Sequence, residues 1–90
     1  MSNPSEETLL EFPCPFPIKV MGKDENNFAA HVIEIVRAHV PDLREDTVTI
    51  RNSRNGNYLS VTVTIQAQNR AQLDAIYMAL TASERVLMAL

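Results

Sequence analysis

The stretch Tyr58-Leu59-Ser60-Val61-Thr62-Val63-Thr64-Ile65-Gln66 decides the fold. Leu59, Val61, Val63 and Ile65 alternate without a break with Ser60, Thr62, Thr64 and Gln66. Successive side chains of a strand point to opposite faces, so this period of two makes a strand with one apolar and one polar face. An antiparallel sheet covered on one side only is the setting such a strand fits.

Working outward, Ser53-Arg54-Asn55-Gly56-Asn57 reads as a hairpin loop, with Asn55-Gly56 supplying the positive φ angles of a tight reversal. Before it, Thr47 to Asn52 alternates: Val48 and Ile50 share one face, Thr47, Thr49 and Arg51 the other. After the deciding strand, Asn69 is expected to cap a helix, with Gln72 three residues on as in a capping box. Leu73, Ile76, Tyr77 and Leu80 form its apolar stripe, and Arg85 to Leu90 reads as a last strand. Towards the N-terminus, Ile18-Lys19-Val20-Met21 reads as a short strand ended by Gly22. The preceding Phe12-Pro13-Cys14-Pro15-Phe16-Pro17 is extended but expected to stay out of the middle of the sheet, because alternate prolines remove alternate backbone donors. Between the first two strands, Asp24 or one of the following Asn residues caps a helix running to about His39, with Phe28, Val32, Ile35 and Val36 on one stripe and Pro41 beyond its end.

The order β-α-β-β-α-β with right-handed crossovers predicts an α+β, ferredoxin-like fold. Its four-stranded antiparallel sheet has the order 4-1-3-2, with two helices on one face. The helices are expected to cover Ile18, Val20, Val48, Ile50 and the apolar side of the third strand. Lys19, Arg51, Tyr58, Ser60, Thr62 and Thr64 are left on the opposite face as a candidate interaction surface. Residues 1–11 are expected to be a loosely ordered arm, and residues 12–90 a single domain.

Composition narrows the function. The net charge of −3 weakens the phosphate-neutralising term on which nucleic-acid affinity rests. The expected outward positions of the third strand carry Ser60, Thr62 and Thr64 instead of the rings that stack bases, so no nucleic-acid partner is expected. One cysteine and two histidines without a CxxC make no closed metal site, and Cys14 has no intramolecular disulfide partner. No apolar run approaches the roughly 20 residues of a membrane span, and a cytoplasmic location is expected. No serine sits in a nucleophile elbow, and no basic neighbour activates Cys14. Carboxylates in Met21-Gly22-Lys23-Asp24-Glu25 oppose an acylphosphatase-like anion cradle. The chain is therefore expected not to be an enzyme and to need no cofactor or metal. The loop into the first helix, with Gly22, Lys23, Asn26 and Asn27, is the candidate ligand site, because helix N-terminal amides favour anions.

Three stretches carry a family resemblance: Leu10-Glu11-Phe12-Pro13 leading to Lys19-Val20-Met21-Gly22, then Gly56-Asn57-Tyr58 with Ser60-Val61, and finally Val86 to Leu90. Together they resemble the YbeD-like family of small, uncharacterised bacterial proteins. The resemblance implies a ferredoxin-like domain similar to the ACT-type regulatory domains that bind amino acids. It also places Gly22 where such domains let a ligand approach the backbone. The leading expectation is a non-catalytic regulatory domain sensing a small metabolite, with a homodimer as one expected form. The alternative is a protein-protein interaction adaptor using the polar sheet face or an edge strand.

Overall fold

A computed structural model of the chain describes residues 11–53 and 56–90. The expected arm therefore lies outside the described residues except for Glu11, as does Asn55 of the hairpin turn. The elements are β1 (Cys14–Lys23), α1 (Phe28–Arg37), a 3-10 turn (Glu45–Thr47), β2 (Val48–Asn52), β3 (Tyr58–Ala67), α2 (Arg70–Thr81) and β4 (Val86–Ala89). They form one four-stranded sheet in the order β2-β3-β1-β4, and the three pairings are antiparallel. This is the expected ferredoxin-like arrangement, with β3 and β1 in the middle.

The core lies between the sheet and the helices. Ile18 and Val20 of β1, and Val61, Val63 and Ile65 of β3, are buried together against Phe28, Val32 and Val36 of α1 and Leu73, Ile76 and Leu80 of α2. Fully burying a side chain of this size is worth about 1.5–3 kcal/mol, so these residues dominate the folding free energy. Helix α2 begins as expected, with the Asn69 side chain accepting from the Gln72 amide at 2.8 Å. The reciprocal bond shifts by one residue: the Gln72 side chain accepts from the Gln68 amide at 2.8 Å and donates to the His39 carbonyl. Helix α1 is entered differently. Asn26 and Asn27 both have positive φ, 52° and 55°, and Asn27 makes no side-chain capping bond. Asparagine tolerates the left-handed region that a tight entry requires.

Three expectations are corrected. First, β1 is not a four-residue strand: it runs from Cys14 through Pro15 and Pro17, which lie opposite Gln66 and Thr64 of β3. Lys19 exchanges backbone hydrogen bonds with Leu90, at 3.1 and 2.8 Å, on the β4 side. Alternate residues of a strand turn their backbone groups to the same side, so Pro15 and Pro17 also face that side. β4 reaches only as far as Lys19, so the missing donors fall where no described strand needs them. Second, Ile50 is 50% exposed and Val48 only half-buried. Ile50 lies opposite the core residue Val61, hence on the helix side, but at an edge strand beyond the cover of both helices. Third, Thr47 ends the 3-10 turn instead of starting β2.

Candidate interaction face

Register builds the open face row by row. Arg51 of β2 lies opposite Ser60 of β3, Ser60 opposite Met21 of β1, and Met21 opposite Met88 of β4. The next row runs Thr49, Thr62, Lys19 and then Leu90, whose backbone bonds Lys19. Pro17 and Thr64 continue on one side, and Lys23 with Tyr58 on the other. The fold thus brings Lys19, Arg51, Tyr58, Ser60, Thr62 and Thr64 onto one face, the side away from both helices. Ser60, Thr62 and Thr64 are half-buried by their neighbours at its centre.

Sequence reasoning missed the apolar margin of this face. Tyr58, Met88 and Leu90 are 41, 48 and 61% exposed, and half-buried Met21 joins Met88 to the centre. Met21 was within reach of the period-two rule, being next to buried Val20. Met88 was not, because a bulge between Met21 and Gly22 shifts the β4 register and leaves Leu87 as the extra residue.

The candidate loop site is split by the same alternation. Gly22 is a buried β1 residue on the helix side, whereas Lys23 faces the open side opposite Tyr58. A Cβ on Gly22 would collide with the Phe28 ring and approach the Arg85 carbonyl oxygen to 2.5 Å. The place above Gly22 is therefore filled by protein. Arg85 was not foreseen as a site residue, and it clamps the loop. Its guanidinium lies 5.7 Å from the centre of the Phe28 ring, donates to the Asn26 carbonyl at 2.9 Å and also donates to the Glu25 carbonyl. Beside it, His31 Nε2 and Ser83 Oγ are 2.8 Å apart, and the Arg85 amide donates to the same Oγ. That hydroxyl is occupied in tying the end of α2 to α1, which gives it a structural task. Nothing local in the sequence signals the contacts of Arg85 with Glu25 and Asn26 or of Ser83 with His31, since those partners come from distant segments.

Elsewhere, a groove of about 470 Å³ runs between the Val40–Arg44 segment and the Thr64–Gln66 end of β3. Pro15 and Gln72 also line it. Among the described residues no group of three or more His, Cys, Asp or Glu is placed to hold a metal. No described helix is long and apolar enough to cross a membrane.

Comparison with known proteins follows the same lines. Residues 7–90 match the model of a family described as "Protein of unknown function (DUF493)". The chain is 53% identical over 76 residues to the UPF0250 protein NE1487 of Nitrosomonas europaea, covering 84% of this chain and 87% of that one. It is 46% identical to a UPF0250 protein of Chromobacterium violaceum over 90 residues, the full length of both. The solution structure of protein HP0495 from H. pylori superposes with a TM-score of 0.76 over 100% of this chain and 94% of that one, at 15% identity. At that identity the likeness speaks for the fold alone.

Proposed function

We propose, from the premise that this chain belongs to the DUF493 family, the YbeD-like group of the UPF0250 proteins, that it is a non-catalytic binding module docking a partner protein on the open face of its sheet. The relatives' names assign no reaction, and no catalytic family is indicated. The observation that carries the reading is the uncovered face itself. It is four strands wide, carries Ser60, Thr62 and Thr64 beside Lys19 at its centre, and is edged by exposed Tyr58, Met88 and Leu90. Apolar residues scattered singly on a surface need no explanation, but Met21, Met88 and Leu90 are brought side by side by register, which supports a contact surface.

The test is co-purification from the native host with the unaltered chain, Thr62→Glu and Met88→Asp. Both substitutions sit on the side of the sheet away from the core, and Thr62→Glu lies opposite Lys19, so the fold is expected to be kept, with thermal midpoints measured alongside to establish it. A specific partner retained by the unaltered chain and lost with both variants supports the reading. A partner that stays bound to both variants overturns it.

Small-molecule sensing is a second reading, and the groove beside Thr64–Gln66 favours it over the loop, where Phe28 fills the place above Gly22 and the hollow of about 370 Å³ on the Lys23 side is lined by Asp24 and Glu25. A metabolite bound there at 100 times its Kd would stabilise the fold by about 2.7 kcal/mol. Thermal-shift screening with amino acids would show that gain. No shift with any of them removes amino-acid sensing.

A further inference from the structure

Charge is unevenly distributed over this fold. The chain has eleven Asp and Glu against eight Lys and Arg, yet β1, β2, β3 and β4 contain no Asp or Glu. Their cations are Lys19, Lys23 and Arg51. Register puts all of them on the open side: Lys19 opposite Thr62, Lys23 opposite Tyr58, Arg51 opposite Ser60. The ion pairs among the described residues lie elsewhere, Arg37 with Glu45 and Arg44 with Asp46. A chain that is acidic overall therefore gathers three cations and no carboxylate on the strands of this face; Asp24 and Glu25 lie at its Lys23–Tyr58 end, and the exposed Met88 and Leu90 border it.

We propose that the occupant of this face is an acidic amphipathic helix of a partner protein. The inference rests on the open-face reading above and adds the chemistry of the partner. A helix packs on the face of a sheet with one stripe, whereas an added strand needs an edge and a second sheet needs a whole open face of its own. Lys19 and Lys23 are four strand residues apart, about 13 Å. Carboxylates two turns apart on a helix, at i and i+8, are about 12 Å apart and match that span. Apolar residues on the adjoining helix stripe would lie over Met21, Met88 and Leu90.

Two other occupants fit less well. A second copy docked face to face would set Lys19, Lys23 and Arg51 against the same cations, and like charges across an interface are costly. Single-stranded nucleic acid would find Tyr58 as the single exposed ring and threonines where stacking platforms are needed.

The experiment titrates the full chain, labelled for amide NMR, with two synthetic helical peptides sharing one leucine stripe. One carries Glu at i, i+4 and i+8, and the other carries Lys there. The expected result is that the Glu peptide shifts amides of β1, β3 and β4. Its affinity should fall with added salt and drop about tenfold or more in the triple variant Lys19→Glu, Lys23→Glu, Arg51→Glu. The triple variant's thermal midpoint, measured alongside, establishes that the fold is kept. Equal binding of both peptides to the open face, or undiminished binding to the triple variant, overturns the acidic-helix proposal and leaves the open-face reading standing. Shifts confined to residues away from this face overturn both. Binding of a single-stranded oligouridine, or dimerisation of the chain through this face, with neither peptide bound, overturns the proposal in favour of that occupant.

Discussion

At the scale of single residues, Gly22 shows how a residue that reads as a ligand site can be a packing requirement. The Phe28 ring packs down onto β1 at this position, and the Arg85 carbonyl lies on the same spot. Gly22→Val is expected to lower stability by about 1–3 kcal/mol through overpacking, read as a lower urea midpoint with an unchanged slope. Tyr77 gives a pH signature. Its hydroxyl donates to the Leu90 carbonyl at 2.7 Å, and desolvation by burial raises its pKa above the ordinary value. A raised pKa means the folded state holds this proton more tightly than the unfolded state. The stabilisation is complete below the unfolded pKa and is lost as pH rises through the folded one. Between about pH 9 and about pH 12, the thermal midpoint of the unaltered chain should fall more steeply than that of Tyr77→Phe.

At the scale of elements, the prolines of β1 act as an edge guard. Pro15 and Pro17 turn donor-less nitrogens toward the side that β4 leaves uncovered, which denies another strand its ladder there. Pro17→Thr is expected to cost about 0.4–1 kcal/mol through the added freedom of the unfolded chain. The same change should raise self-association, measured by sedimentation velocity. The length of β1 was not legible in the sequence, because a proline's compatibility with a strand depends on which side is paired, and that is settled by where β4 stops. The opposite holds for β3 and α2. The alternation from Leu59 to Ile65 and the Asn69 cap are local signals with local causes, and both were read correctly. Ile50 misled because alternation gives the face of a residue and not the reach of the helices above it. Half of the open face could be written down from period two alone. Its apolar margin needed the bulge in the β1–β4 register.

At the scale of the whole molecule, one core holds the two layers together, and the two faces of the sheet divide the work between stability and recognition. Ile76 is fully buried between α2 and the sheet. Ile76→Ala is expected to cost about 2–5 kcal/mol, against a total of about 5–15 kcal/mol for a native domain. Unfolding followed by far-UV circular dichroism and by tyrosine fluorescence should give coincident midpoints, both lowered together, since the buried residues among those described form one cluster. Non-coincident transitions would contradict the single core.

The pairing of β1 with β3 also has a kinetic consequence. These strands are matched from Cys14–Ala67 to Lys23–Tyr58, so even the nearest rung closes a loop containing α1 and β2. β2 and β3, by contrast, meet across a short turn. The entropy of the longer closure must be met before its rungs repay it, which slows folding. Refolding is therefore expected to begin with the β2–β3 hairpin, and the arrival of β1 sets the pace.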